Sequence, residues 1–435
     1  MTFESLGLSP ALLRALADAG YTTPTPIQAQ AIPLVLAGHD VLGGAQTGTG
    51  KTAAFGLPLL QRLARQTPAN GPRKPRALAL VPTRELAVQV SDSLKAYGRG
   101  LRLHVATLFG GVGMQPQVDS LRRGVDVLVA CPGRLLDHLE RGTAKLDAVD
   151  VLVLDEADRM LDMGFLPGIK RIVGRVPKQR QTLLFSATFE PRIRALAMEF
   201  LRDPREVQVA ANNTIAETIT HRVHPVDAGN KRALLVDILS RRHTDQVLVF
   251  GKTKHGCNRL AEQLDKAGLP SVAIHGNKSQ AQRQKALDAF KAGRARILVA
   301  TDVAARGLDI PDLPLVINHD LPMVAEDYVH RIGRTGRNGA QGEALSLVAP
   351  DEGGLLRDIQ RMLKAEITME TVPGFEPSQP LQMNAKPAQG RGGQRPGGQQ
   401  RKPANRGHGK PQQRAASPHA GPKQHRGGGR RRRTA

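Results

Sequence analysis

Tryptophan is absent from the 435 residues, and aromatic side chains make up only 3% of them. That scarcity argues against an aromatic-rich carbohydrate-binding surface or a β-propeller. Two cysteines, Cys131 and Cys257, stand far apart in the chain and cannot build a disulfide framework. His255-Gly256-Cys257 and His221-Arg222-Val223-His224 look ligand-like, but neither has companions at zinc spacing. No apolar run approaches the ~18 residues that a membrane span needs. The opening Met1-Thr2-Phe3-Glu4 lacks the basic-then-apolar order of a signal peptide. The expectation is a soluble, cytoplasmic protein with no membrane partner.

Acidic residues are missing from one long stretch. Residues 381–435 contain Lys386, Lys402, Lys410, Lys423 and ten arginines, with no Asp, Glu, Phe, Trp or Tyr, so they supply +14 of the net +23. Such a segment buries too little apolar surface to offset its ordering entropy, and disorder is expected. Arg391-Gly392-Gly393, Arg426-Gly427-Gly428 and Arg430 to Arg433 are the chemistry of an arm that holds phosphates through counterion release.

The rest of the chain is too long for one compact unit. Short apolar runs alternate with longer amphipathic stretches: Ala77–Val81, Val125–Ala130, Val151–Leu154 and Thr182–Phe185, then Gln246–Phe250, Val272–Ile274, Ile297–Ala300 and Leu315–Ile317. They read as buried parallel strands with helices between them, in two series. Between the series, Ala210–Thr220 is polar and weakly patterned. Two tandem α/β domains, each a doubly wound sheet, follow: residues 1–209, a linker at 210–220, residues 221–370, and a disordered basic tail at 371–435. Ligands bind such sheets at the carboxyl ends of strands.

After Asp40-Val41-Leu42-Gly43-Gly44 comes Ala45-Gln46-Thr47-Gly48-Thr49-Gly50-Lys51-Thr52. This spacing cradles phosphates at a helix start: Gly48 and Gly50 let N–H groups turn inward, Lys51 meets the phosphates and Thr52 offers its hydroxyl to Mg²⁺. Ala45 stands where the general pattern has its first glycine. Behind the strand Val151–Leu154, Asp155 is expected to hold Mg²⁺ and Glu156 to orient and deprotonate an attacking water.

Asp155-Glu156-Ala157-Asp158 makes the chain resemble the DEAD-box RNA helicases, and the match runs from Phe3 to about Val348. The RhlE type is the nearest in pattern, through Asn277-Lys278-Ser279-Gln280. The resemblance implies two RecA-like domains, ATP with Mg²⁺, and single-stranded or short duplex RNA bound with little sequence preference. In Tyr21-Thr22-Thr23-Pro24-Thr25-Pro26-Ile27-Gln28 it makes Gln28 the reader of the adenine edge and Tyr21 the ring stacked on adenine. It assigns RNA-backbone contacts to Pro82, Thr83 and Arg84, to Gly110 and Gly111, and to Gly133 and Arg134. Cys131 stands where the family usually has Thr, and no RNA contact is expected of it. Ser186 and Thr188, with Asp158, would couple hydrolysis to RNA binding. In the second domain, Thr253, Gln280, Arg283 and Thr301 would touch RNA and Gly307 and Asp309 the nucleotide, while Arg306 would link the domains. Arg334 and Arg337 of His330–Arg337 would reach the γ-phosphate, Arg337 as an arginine finger. The implied function is RNA-stimulated ATP hydrolysis coupled to domain closure and local, non-processive unwinding. An ATP-gated RNA clamp with low turnover and a DNA helicase of the same architecture remain as alternatives.

Overall fold

The structure, a computed structural model, describes residues 1–45, 49–66, 73–209, 219–242, 246–305, 308, 310, 313–336 and 341–384. Seven strands form the first sheet: β1 (Val41–Gly44), β2 (Ala77–Leu80), β3 (Val105–Leu108), β4 (Val127–Ala130), β5 (Val151–Leu154), β6 (Gln181–Ser186) and β7 (Arg205–Gln208). Seven more form the second: β8 (Ile219–Pro225), β9 (Val247–Phe250), β10 (Ser271–Ile274), β11 (Ile297–Ala300), β12 (Leu315–Asn318), β13 (Gly342–Val348) and β14 (Thr368–Met369). All pairings are parallel, as in Val41 opposite Leu183 and Leu315 opposite Val247.

The orders are β3-β4-β2-β5-β6-β1-β7 and β10-β11-β9-β12-β13-β8-β14. Counted from the first strand of each lobe, these are the same order. Side chains alternate across a strand, so each run serves two cores. Val151 and Val153 join one cluster of the first lobe, and Leu152 and Leu154 join the other. Val247 and Val249 face one cluster of the second lobe, and Leu248 and Phe250 face another. Helices cover both faces, and the central strands therefore lack the polar alternation of a half-solvated sheet.

Two expected boundaries move. The stretch 210–220 ends inside a strand, because Ile219 is buried and pairs with Gly342 at the start of β8. Residues 210–218 lie outside the described residues, as do 385–435. The basic tail does not begin at 371. Val372 and Phe375 pack on one core of the second lobe, and Leu381 and Met383 pack on another. The Ser378 N–H donates to Asp227 at 3.1 Å, and the Gln382 N–H donates to the Pro350 carbonyl at 2.8 Å. Four apolar anchors within a polar stretch hold this strap through residue 384.

Candidate nucleotide and nucleic-acid site

Adjacent strands β5, β6 and β1 bring three loops together at their carboxyl ends. The Ala45 N–H donates to the Ser186 carbonyl at 3.1 Å, which joins the exit of β1 to the exit of β6. The helix Lys51–Arg65 then starts from Gly50, whose φ of 89° is left-handed. A Cβ there would lie 2.2 Å from Gln28 Nε2, so close approach as well as backbone angle requires glycine. Gln28 is buried; its Nε2 donates to the Gly50 carbonyl at 3.2 Å, and its Oε1 accepts from the Thr25 N–H at 3.0 Å. Its amide thus braces the phosphate loop and keeps one N–H for a further acceptor. Tyr21 is 43% exposed and meets the Tyr97 ring edge-on at 6.2 Å, which leaves a face open.

Lys51 is buried, and its Nζ donates to the Ala45 carbonyl at 2.7 Å. Ala45 therefore serves through its backbone, which explains why alanine is tolerated there. Thr49 and Gly50 flank the loop, and Thr52 is half-buried one residue inside the helix. Gln46, Thr47 and Gly48 lie outside the described residues.

Asp155 follows β5 with only 2% exposure, and its Oδ1 accepts from the Glu156 N–H at 3.0 Å. Burial pushes its carboxyl up to about 7; the Lys51 ammonium opposes that rise and the Glu156 charge adds to it. Glu156 has φ 53° and ψ 52°, a left-handed conformation that costs a non-glycine residue on the order of 1–2 kcal/mol. Its Oε2 meets Arg159 Nη1 at 2.5 Å. Asp158 Oδ2 accepts from the Ala187 N–H at 3.3 Å, which ties the acidic helix to the loop after β6. There Ser186 Oγ, fully buried, accepts from the Thr188 N–H at 3.3 Å. Thr188 Oγ1 is buried with no hydrogen-bond partner among the described residues. The residues fit Mg²⁺ carried by a nucleotide: a buried, under-neutralised carboxylate and a hydroxyl are hard oxygen donors, while no cluster of three or more His, Cys, Asp or Glu side chains among the described residues forms an all-protein cage.

A second group of loops lies at the ends of β2, β3 and β4. Thr83, after the buried Pro82, caps the helix Arg84–Tyr97 by accepting from the Leu86 N–H at 3.3 Å. Arg84 projects over Gly111, whose φ is 79°; a Cβ there would lie 2.0 Å from the guanidinium Nη1. Beside Gly110 and Gly111, the Val112 carbonyl accepts from Arg134 Nη2 at 3.1 Å. Gly133 is exposed with open space around it. One loop thus gathers two arginines and an unobstructed backbone, the parts of a phosphate-backbone track. Cys131 caps nothing with its side chain, and burial pushes its thiol up to about 12.

In the second lobe, Thr253 copies Thr83: it accepts from the Gly256 N–H at 3.0 Å with φ −125°, against −126° at Thr83. Gln280 and Arg283 are placed otherwise than a free RNA-facing pair. Across the lobe boundary, Gln280 Nε2 and Arg283 Nε donate to one oxygen of Glu85 at 3.2 and 2.8 Å, with both charged side chains at most 10% exposed. Thr301 is buried, and its carbonyl accepts from the Ala304 and Ala305 N–H groups. Arg334 Nη1 donates to the Leu308 carbonyl at 2.9 Å within its own lobe, while His330 lines the pocket formed by Lys51, Glu156 and Asp158. Arg306, Gly307, Asp309 and Arg337 lie outside the described residues.

The sequence also matches the family description "DEAD/DEAH box helicase" over residues 25–196 and "Helicase conserved C-terminal domain" over 230–339. It is 44% identical over 375 residues to the DEAD-box ATP-dependent RNA helicase CshA of Geobacillus kaustophilus, covering 86% of this chain and 79% of that protein. The chain belongs to the DEAD-box ATP-dependent RNA helicase family. ATP-dependent RNA helicases DeaD of Mycobacterium tuberculosis and Escherichia coli are 45% and 46% identical over 86% of this chain. The match spans 66% and 59% of those two proteins, under two thirds of their length. The structure resembles Saccharomyces cerevisiae Dbp5 bound to RNA and ADP BeF3, with a TM-score of 0.76, 31% identity, and coverage of 85% of this chain and 95% of that one. It also resembles Mss116p bound to ssRNA and AMP-PNP, with a TM-score of 0.78, 29% identity, and coverage of 86% and 80%.

Within this DEAD-box chain, three side chains carry more of the site than their motifs alone signalled. Glu85 receives both second-lobe donors. Arg159 holds Glu156. Arg331, between His330 and Ile332, is 2% exposed and forms a bidentate pair with Asp302 at 2.6 and 2.8 Å. Its Nη1 donates to Asn318 Oδ1 at 2.9 Å, and its guanidinium lies 4.9 Å from the Phe250 ring centroid. A basic residue on the same helical face as Tyr328 and Ile332 was the available sign that it points inward.

Proposed function

We propose that this chain is an RNA-stimulated ATPase that uses the joining of its two lobes to separate short RNA duplexes or remodel RNA–protein assemblies. The observation that carries this reading is the buried contact of Glu85 with Gln280 and Arg283. It ties the helix start that bears Arg84 to the second lobe, on the same molecule whose Lys51 shares a pocket with His330. RNA that spans both lobes would favour their contact, and ATP would favour the same contact from the other side.

Lys51 would exchange the Ala45 carbonyl for phosphate oxygens. Gln28 would offer its spare N–H to the adenine edge, and Tyr21 its open face to the ring. Asp155 and Thr52 would hold Mg²⁺, which when bound neutralises charge developing on the phosphates. Glu156 would orient the attacking water and accept its proton. Arg334, freed from Leu308, and Arg337 would supply positive charge from the second lobe. Asp158, Ser186, Thr188 and Arg306 would transmit lobe contact to the acidic loop. Arg84, Arg134, Thr83, Thr253, Thr301 and the backbone at Pro82, Gly110, Gly111 and Gly133 would follow the RNA backbone. The basic tail would add phosphate contacts of its own.

The test is ATP turnover with no nucleic acid, with single-stranded RNA and with matched DNA, using Lys51→Ala to control for contaminating activity. Strong stimulation by RNA alone is expected. Equal stimulation by DNA would favour a DNA helicase, and RNA binding without turnover would favour a clamp.

A further inference from the structure

Resting on the reading of Glu156 as the group that takes the water proton, we propose that Arg159 is a positioning residue that fixes the Glu156 carboxylate for hydrolysis. Glu156 leaves β5 in a left-handed conformation, and this aims its side chain into the pocket. Arg159 lies three residues on, in the first turn of the helix Ala157–Asp162, and its Nη1 meets Glu156 Oε2 at 2.5 Å. The two side chains are 7% and 8% exposed, so the pair is nearly dehydrated and strongly directional.

The neighbouring acids are engaged elsewhere. Asp158 accepts from the Ala187 N–H, and Asp162 pairs with Arg192 at 2.7 Å. Lys51 donates to the Ala45 carbonyl. Arg159 is thereby directed to Glu156 by the occupation of its competitors. It holds one carboxylate oxygen, Oε2, and takes no part with Oε1, the oxygen that would then receive the water proton. Without it, the glutamate would sample several rotamers, and only one presents Oε1 to the reacting centre.

The experiment measures RNA-stimulated turnover and binding of a non-hydrolysable ATP analogue for wild type, Arg159→Gln, Arg159→Lys, Glu156→Gln and the Arg159→Gln/Glu156→Gln double variant. Arg159→Gln should lower kcat about tenfold or more, with KM and analogue affinity within about twofold, and Arg159→Lys should recover part of the loss. In the Glu156→Gln background, Arg159→Gln should cost nothing further. An equal loss in both backgrounds, or a rise in KM at constant kcat, would overturn the proposal, because Arg159 would then act on the fold or on the phosphates. Wild-type turnover in Glu156→Gln alone would instead remove the reading on which the proposal rests.

Discussion

The two lobes repeat one strand order yet end in opposite electrostatic states at the same place in the fold. After β1 the helix begins with Lys51, whose Nζ donates to the Ala45 carbonyl. After β8 the helix begins with Lys231, whose Nζ donates to the His319 carbonyl at 3.0 Å and to Glu352 at 2.5 Å. After β5 comes Asp155, with its carboxyl pushed up by burial. After β12 comes Asp320, half-buried, and there the His319 ring, the Lys231 ammonium and the Lys252 N–H outweigh desolvation and hold its carboxyl below the usual range. The strap then bonds to Asp227 and Pro350, two residues past the ends of β8 and β13. The first lobe keeps an incomplete charge set that, on the function proposed above, a metal-bound nucleotide would complete. The second closes its own set with protein groups and, on that proposal, would supply arginines and an RNA surface. The architecture is the same in both, and the loops decide the chemistry.

This contrast breaks most visibly at the two lysines. Lys51→Ala should lower ATP turnover by about 10²-fold or more, with little change in melting temperature. Lys231→Met should do the reverse. It strands Glu352 and Asp320 and should cost on the order of 3–5 kcal/mol of stability, read by thermal unfolding, while analogue affinity of the folded protein holds.

The next largest effect falls on the bridge between lobes. Glu85→Ala leaves Arg283 and Gln280 buried without their acceptor, and RNA stimulation of turnover should fall about 10–100-fold. A wild-type degree of stimulation would mean that the lobes communicate by another route.

Asp155 sharpens the contrast through pH. Its folded value of about 7 exceeds the ordinary 3.8, so its contribution to stability is full below the ordinary value and is lost as pH rises through about 7. A divalent cation requires the carboxylate form, so loading Mg²⁺ and analogue should release close to one proton near pH 6 and few near pH 8. Calorimetry in buffers of different ionisation heat counts them. Asp320, depressed instead, should release none over that range.

The smallest expected effect concerns the tail. Cutting after Asn384 removes fourteen basic residues and no acidic one, and should flatten the salt dependence of RNA binding. Cutting at residue 370 also removes the strap and should lower the melting temperature of the second lobe.

Central strands were legible because they are buried on both faces and read as continuous apolar runs; β5 and β11 fall where the sequence places them. Strands at or next to a sheet edge were not. β7 (Arg-Glu-Val-Gln), an edge strand, buries one side chain of four, and β8, next to the edge strand β14, carries two histidines and an arginine, so tertiary pairing alone makes them strands. The phosphate loop and acidic pair were legible because their function fixes spacing within a few residues. Glu85 lay inside a recognised motif, but its partners lie nearly two hundred residues away, a distance that no local pattern encodes. The strap was hidden in a polar stretch whose four apolar anchors show no periodicity.

Coupling between the lobes is tested most directly by reciprocal binding. The affinity of a non-hydrolysable ATP analogue should be determined with and without single-stranded RNA, and that of RNA with and without the analogue. Each ligand should tighten the other by the same factor, of about tenfold or more, and Glu85→Ala should reduce both factors together. Independent binding in the wild-type protein would contradict the account.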